Sequence, residues 1–216
     1  MLLINDIFTK IKSFEQIWYS LTLKIGIISD THDDVENVQS AIEIFNAEKV
    51  THVIHAGDYI FPGIVLEFKK LDAKFIGVLG NNDGERVHLL KNFLAIGGEL
   101  KGELGEVELD GVIFGIYHGT DEQLKKKLVD SGKYDVIITG HTHRIEIPSV
   151  HSTTINPNDE KQQDGNKIRK NGGQTLVLNP GTAHRKIDTI SGAFIEGGII
   201  IFDTENKDYK FVNLPR

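Results

Sequence analysis

An aspartate and a histidine one residue apart are the first residues of this chain that could do chemistry. Asp30 and His32 follow the apolar run 24–29, which is typical of a buried β-strand. Positions i and i+2 of a strand or its extension point to the same side, so a carboxylate and an imidazole would lie together at the strand's carboxyl end. Open α/β sheets bind ligands there. The pair alone has a second interpretation, because Asp and Thr after a strand often cap the next helix.

Similar residues follow four later strands, predicted at 51–56, 74–79, 112–117 and 134–139. Oxygen and imidazole ligands suit manganese, iron, zinc or nickel, and seven of them are too many for one tetrahedral zinc but suit two metals that share a carboxylate. Two such ions bind a phosphate between them and lower the pKa of a bound water toward about 7, which makes hydroxide available at neutral pH. The candidate ligands are Asp30, His32, Asp58, Asn81, His118, His141 and His143.

The remaining histidines have a simpler interpretation. A single histidine is more often a hydrogen-bonded core or surface residue than a ligand. We interpret four of them in this way: His52, His55, His88 and His151.

The elements that must position these residues alternate between strand and helix in the first half of the chain. Asp33 or Asp34 is a natural N-cap for a helix over 35–45, and further helices are predicted at 64–70, 85–96 and 121–130. Strand–helix repeats predict a parallel sheet with right-handed crossovers, which brings the strand ends to one edge. An Asp110-Gly111 turn predicts a hairpin over 98–117. After residue 144 the strands lack intervening helices and predict a second, largely antiparallel sheet, interrupted by a polar mobile loop or protruding hairpin at 152–173.

Composition limits the class of protein. A chain of 216 residues with 39% hydrophobic and 25% charged residues fits one soluble domain. The net charge of -7 and the lack of a dense Lys/Arg stripe argue against long nucleic acids as partners. The absence of cysteine excludes disulfides and thiolate ligands, and it is compatible with a cytoplasmic location.

The first 22 residues predict a separate amphipathic helix, ahead of a domain over 23–216. Charged residues interrupt any signal-peptide core, and the segment is too polar to span a bilayer. Packing on its own domain is the first interpretation, a homo-oligomer contact the second and a membrane-surface helix the third. Its apolar stripe consists of Ile4, Ile7, Ile11, Phe14, Trp18 and Leu21.

Taken in order, the motifs resemble those of the calcineurin-like metallophosphoesterase superfamily, and among its members the small single-domain phosphodiesterases of bacteria and archaea. The blocks are D-x-H at 30–32, G-D at 57–58, G-N-x-D at 80–83, H-G at 118–119 and G-H-T-H at 140–143, and Asn179-Pro180-Gly181 is similar to a later family block. The resemblance implies an α/β, four-layer αββα sandwich of two mixed sheets flanked by helices.

The same resemblance implies how the ligands divide between two divalent ions, with Mn²⁺ favoured over Ni²⁺, Zn²⁺ or Fe. One metal would be held by Asp30, His32, Asp58 and His143, and the other by Asp58, Asn81, His118 and His141. Asp58 would bridge the two ions, and a bridging hydroxide would attack phosphorus in line. Asp58, Asn81 and Asn82 would form the catalytic group acting on a small phosphoester.

One position departs from the family pattern. Many family phosphatases have His after the Asn ligand, where this chain has Asn82, and an amide cannot act as a general acid near neutral pH. Leaving groups of low pKa are therefore expected, unless an acid such as His184 reaches the site. Asp83 is predicted to orient a ligand histidine or to cap a turn, and Arg144 and Arg185 are candidate phosphate contacts.

A phosphodiesterase is the first hypothesis for function. The alternatives are a metal-binding scaffold on the same fold without catalysis, and a phosphomonoesterase or nuclease that acts on short nucleotides. The chain keeps every metal-ligand histidine, which ranks the scaffold low.

Overall fold

The computed structural model describes residues 23–146, 175–187, 194–195 and 197–214. Within these ranges the strands form two mixed sheets of six and five strands and a small two-stranded ribbon. The predicted N-terminal helix and the polar segment 152–173 lie outside the described residues. No helix in the described part of the chain has the length and apolar character needed to cross a membrane.

The first sheet consists of β1 (Lys24–Ile28), β2 (His52–His55), β3 (Lys74–Gly77), β4 (Glu99–Leu100), β12 (Gly198–Asp203) and β13 (Tyr209–Asn213). These strands lie in the order β13-β12-β1-β2-β3-β4. The central strands β1 to β4 are parallel, as the alternation of strands and helices predicts, while β12 pairs antiparallel with β1 and β13 pairs antiparallel with β12.

The second sheet consists of β5 (Leu104–Leu109), β6 (Val112–Tyr117), β7 (Val136–Ile138), β8 (Ile145–Glu146) and β9 (Leu176–Pro180), and β10 (Lys186–Ile187) pairs with β11 (Phe194–Ile195) to form the ribbon. The strand order of the second sheet is β5-β6-β7-β9-β8. The predicted turn at Asp110 and Gly111 joins β5 to β6, and both residues have the positive φ values, 52° and 73°, that a tight hairpin turn requires.

Helices flank the two sheets, which confirms the predicted αββα arrangement. Helix α1 (Val35–Ala47), a 3₁₀ helix (Pro62–Lys70) and helix α2 (Arg86–Ala95) connect the parallel strands of the first sheet, and α3 (Glu122–Asp130) connects β6 to β7. One hydrophobic core lies between the first sheet and its helices, and includes Phe45, Phe68 and Phe93. A second core lies between the two sheets, where Phe114 meets Phe202.

The strands after residue 144 do not form a sheet of their own, so that part of the prediction is wrong. Strands β8 and β9 belong to the second sheet, where β9 runs parallel to β7, whereas β12 and β13 complete the first sheet. The apolar residues of β12 explain its place: Ile199 and Ile201 face the helix-side core, while Ile200 and Phe202 face the core between the sheets.

Candidate metal centre

Four side chains of the predicted ligand set meet at the carboxyl ends of β1 and β2. Each of Asp30, His32, Asp58 and His143 offers a ligand atom, and these atoms all lie within 4.8 Å of one another. Asp30 Oδ1 lies 3.0 Å from His143 Nε2 and 3.6 Å from His32 Nε2, and His32 Nε2 lies 3.6 Å from Asp58 Oδ2. The residues span more than a hundred positions in sequence, and the adjacency of the strand ends brings them together.

The backbone at the centre adopts conformations that L-residues rarely use. Asp30, His32 and Asp58 have φ values of 53°, 41° and 62°, and His141 and His143 have values of 69° and 57°. Non-glycine residues with positive φ cost energy and persist where the surrounding structure holds them, most often at functional sites. Sharp loops after each strand therefore turn the ligands toward a common point.

A glycine lets the G-H-T-H loop approach Asp30 closely. A Cβ at Gly140 would clash with Ser29 Oγ and with Asp30 Oδ2. At this short range Asp30 Oδ2 accepts hydrogen bonds from Ser29 Oγ (2.6 Å) and from the backbone N–H of His141 (3.0 Å). Asp30 Oδ2 thus connects the loop after β1 to the G-H-T-H loop after β7, while Oδ1 faces His32 and His143.

The two central carboxylates are buried and ionised. Asp30 has no exposed surface and Asp58 is 1% exposed. Burial raises the pKa of Asp30, but His143 and His32 beside it outweigh burial and hold the pKa well below its usual range. Burial likewise raises the pKa of Asp58, yet the adjacent His118 and the hydrogen bonds from Asn82 lower it overall. Two buried negative charges need a compensating cation.

His118 also contacts Asp58, at the same carboxylate oxygen that His32 approaches. His118 Nε2 lies 3.4 Å from Asp58 Oδ2, and the His118 ring lies 5.3 Å from the His141 ring between centroids. His118 Nδ1 makes a 2.8 Å hydrogen bond to the Ala56 carbonyl, which is the outer hydrogen bond usual for a metal-binding histidine. Asn81 is exposed, and its Oδ1 accepts a 3.4 Å hydrogen bond from the hydroxyl of Thr120, beyond His118.

Burial lowers the pKa of His118, but the adjacent Asp58 carboxylate and the charge of Asp30 together raise it. The carboxylates therefore create a negative potential strong enough to favour a positive charge at a buried position.

Asp83 lies beneath Asp58 and contacts the backbone rather than a histidine. Its carboxylate accepts four hydrogen bonds at 2.7 to 3.1 Å, two to each oxygen. It is 4% exposed. The four donors are the backbone N–H groups of Asp58, Tyr59, Ile60 and Gly80, so the described contacts of Asp83 correspond to the turn-capping role rather than to a contact with a ligand histidine.

The candidate phosphate contacts lie in different places. The His184 ring stacks on His32 with a centroid distance of 5.7 Å, so it borders the centre. Arg185 turns outward to Glu36, with Nη2 2.6 Å from Oε2, and to Asp34. Arg144 is exposed. Asn179 supports the G-H-T-H loop through a 2.8 Å hydrogen bond to the Gly140 carbonyl.

The donor set fits a divalent cation. Three buried atoms at the centre, Asp30 Oδ1, His32 Nε2 and His118 Nε2, have charged neighbours at 3.0 to 3.6 Å but make no well-aligned hydrogen bond with the described residues, and all three are atoms that can coordinate a metal. Carboxylate oxygen and imidazole nitrogen suit manganese, iron, zinc and nickel.

His55 also contacts this region, although its sequence context indicates only a core histidine. It is fully buried at the end of β2 and bonds to residues of both ligand loops. Its position just before the G-D block is the one signal that could have drawn attention to it.

Comparison with known proteins agrees with the site. Residues 23–207 match the family model described as the calcineurin-like phosphoesterase superfamily domain. Phosphodiesterase MJ0936 of Methanocaldococcus jannaschii is 36% identical over 193 residues, which cover 89% of this chain and 99% of that protein. A solved archaeal phosphodiesterase shares 35% identity with a TM-score of 0.71, over 89% of this chain and 100% of that one. Vacuolar protein sorting 29 of Cryptosporidium parvum, with 15% identity, a TM-score of 0.53 and coverage of 89% and 96%, shares the fold.

Two stacked mixed sheets flanked by helices, with carboxylates and imidazoles gathered at the strand ends, define a metal-dependent phosphoesterase. The chain belongs to the calcineurin-like phosphoesterase superfamily, as its motifs predict, and it is a phosphoric ester hydrolase.

Proposed function

We propose that this protein is a phosphodiesterase that uses two divalent metal ions. The observation that carries the proposal is the position of Asp58, because its Oδ2 lies 3.6 Å from His32 Nε2 and 3.4 Å from His118 Nε2. A carboxylate oxygen that imidazoles of both proposed ligand sets approach is suited to bridging two cations.

Each metal has a proposed set of protein ligands. Asp30, His32, Asp58 and His143 hold the first ion, and Asp58, Asn81, His118 and His141 hold the second. When bound, a pair of ions, with Mn²⁺ favoured, supplies an activated water for in-line attack on phosphorus and neutralises charge in the transition state.

The chain's own residues bind and orient the ester. Asn81 and Asn82 are exposed beyond the carboxyl end of β3, where the Asn81 amide and the Asn82 N–H that does not bind Asp58 donate hydrogen bonds to phosphate oxygens. His184, stacked on His32, borders the centre and is a further candidate contact with the phosphate. Arg144 is a further candidate contact, whereas Glu36 and Asp34 engage Arg185.

The preference for diesters rests on two observations. The relative at 36% identity is named a phosphodiesterase. Asn82 stands where many family phosphatases have a histidine, so this position provides no general acid, and esters with leaving groups of low pKa are favoured.

The net charge of -7 favours small phosphoesters over long nucleic acids. A cytoplasmic location and an oligomer formed through residues 1–22 stay predictions.

The test compares wild type with Asp58→Asn. Metal-free protein is loaded with Mn²⁺, Ni²⁺, Zn²⁺ or Mg²⁺, its bound metal is counted by mass spectrometry, and hydrolysis is measured on bis-aryl and mono-aryl phosphates. We expect about two ions per wild-type chain, faster cleavage of the diester, and less than about 1% of the activity together with reduced metal content in Asp58→Asn.

Asp33→Asn is the matched control, since Asp33 is an exposed carboxylate beside His32 that accepts a hydrogen bond from the Phe61 amide. It should retain both activity and metal. Full activity and full metal content in Asp58→Asn would refute the mechanism. Metal binding by the wild type without hydrolysis of any ester would instead support the scaffold alternative.

A further inference from the structure

His55 occupies a fully buried position beneath the loops that carry Asp30 and Asp58. Its ring stacks on Tyr59 with centroids 3.9 Å apart, and Phe68 and Phe75 contact it edge-on at 6.0 Å and 6.3 Å. Aromatic rings on several sides leave the imidazole one orientation. A histidine held so firmly can direct both of its nitrogens at fixed partners.

The two nitrogens of His55 bond to different loops. Nδ1 accepts a 3.0 Å hydrogen bond from the backbone N–H of Gly57, and Nε2 lies 3.2 Å from the hydroxyl oxygen of Thr31. Burial lowers the pKa of His55 to about 3, so the ring is neutral near pH 7. Because Nδ1 accepts, the single ring proton lies on Nε2 and is donated to Thr31.

These two contacts hold residues that are adjacent in sequence to three of the four clustered ligands. Thr31 stands between Asp30 and His32, and Gly57 precedes Asp58. The loops also bond to each other, from the Asp30 N–H to the Gly57 carbonyl (3.0 Å) and from the His32 N–H to the Asp58 carbonyl (3.3 Å). The three ligands have positive φ, so their backbone requires outside support.

We propose that His55 is a positioning residue for the metal centre: its imidazole connects the loops of Thr31 and Gly57 so that Asp30, His32 and Asp58 converge. The inference rests on the proposed metal-dependent function and extends it to a residue that contacts none of the reacting atoms. Groups that orient metal ligands typically change metal affinity by about 10- to 100-fold when they are removed.

The first experiment measures Mn²⁺ affinity by calorimetry. His55→Phe keeps an aromatic ring against Tyr59 but removes both hydrogen bonds, whereas His55→Asn keeps an acceptor near the Gly57 amide. We expect His55→Phe to weaken Mn²⁺ binding by about 10- to 100-fold and His55→Asn to weaken it less. Phe68→Leu is the control, because it disturbs the same aromatic cluster and leaves both bonds in place; its affinity should equal that of wild type.

The second measurement needs no metal. In metal-free protein, hydrogen exchange of the Asp30 and His32 amides reports the bonds between the two loops, neither of which His55 makes itself. Exchange at these amides should accelerate in His55→Phe and not in Phe68→Leu. Wild-type affinity with unchanged exchange in His55→Phe would overturn the inference while leaving the phosphodiesterase proposal intact. If wild type bound Mn²⁺ but hydrolysed no ester, the phosphodiesterase proposal would fail. The ratio of the Mn²⁺ affinities of wild type and His55→Phe would still decide the role of His55.

Discussion

Asn82 donates two hydrogen bonds to Asp58, from its backbone N–H to Oδ1 at 2.8 Å and from its side-chain amide to Oδ2 at 2.7 Å. Both bonds favour the ionised carboxylate. The residue that replaces the family histidine therefore stabilises the proposed bridging ligand, and its amide group cannot supply a proton to a leaving group.

Replacing Asn82 by histidine should broaden the range of leaving groups. A protonated imidazole can donate to an alkoxide, and general acid catalysis contributes about 10²- to 10⁴-fold, so we expect the ratio of kcat/KM for alkyl esters to that for aryl esters to rise about tenfold or more in Asn82→His. Asn82→Gln keeps an amide and should leave the ratio near that of wild type. An unchanged ratio in Asn82→His would show that the proton comes from elsewhere.

A methyl group at Gly140 should disable the metal centre. The added Cβ of Gly140→Ala would clash with Ser29 Oγ and Asp30 Oδ2, and displacement of the Asp30 carboxylate should lower Mn²⁺ affinity by at least about tenfold. Gly84→Ala is the matched control, because a Cβ at Gly84 meets nothing within 4 Å. Isothermal titration of both variants checks the expectation, and equal affinities would mean that the loops move apart at no cost.

Removing the charge of Asp83 should destabilise the fold. In Asp83→Asn one carboxylate oxygen becomes an NH₂ group that faces two backbone N–H donors, and we expect a loss of about 3 kcal/mol in the free energy of unfolding. Asp33→Asn retains its oxygen acceptor for the Phe61 amide and should change the stability by less than about 0.5 kcal/mol. Urea unfolding of metal-free protein measures both, and similar values for the two variants would contradict the role assigned to Asp83.

The free energy of unfolding should decrease as the pH falls, and part of this decrease should come from protonation of His55. Its pKa is about 3 in the folded protein, where burial dominates over the opposing charges of Asp30 and Asp58, and about 6.5 when unfolded. The folded pKa is lower, so the stabilisation is fully present above pH 6.5 and is lost as pH falls toward 3.

From pH 7 to pH 5.5 the contribution of His55 to the free energy of unfolding should drop by about 1 kcal/mol. Urea unfolding of metal-free wild type and His55→Phe at the two pH values isolates this contribution, because the other titrating groups are common to both proteins. Parallel losses in the two proteins would mean that His55 takes up its proton while folded.

Much of the fold follows from local patterns. Alternating strands and helices predict the parallel part of the first sheet, and Asp110-Gly111 predicts the hairpin of β5 and β6. The sheet to which each C-terminal strand belongs does not follow from the sequence, because hydrophobic periodicity identifies a strand but not its partner. Strand β12 is apolar on both faces, as a central strand between two cores must be, and this is the signal that places it beside β1.

For the site, the sequence indicates which residue types collect at the strand ends, and the structure brings Asp30, His32, Asp58 and His143 together. The hydrogen bonds that support the ligand loops are harder to predict from the sequence. Asp83 bonds to backbone amides more than twenty positions away, and His55 bonds through both nitrogens across two loops. Residue types indicate Asp83 as a candidate turn cap, but they identify neither the distant amides that it binds nor the two loops that His55 connects.

The pairing of β1 with β12 has a consequence for synthesis on the ribosome. Ile27 lies opposite Ile200, and the Asp30 carbonyl accepts a hydrogen bond from Thr182 Oγ1. Translation proceeds from the amino terminus, so β1 can pair with β2 early in synthesis. Its other edge pairs with β12, which is made some 170 positions later. A prematurely terminated product that ends before residue 198 lacks the strand that would complete its central sheet, and one that ends before residue 182 also lacks the hydroxyl that binds the Asp30 carbonyl.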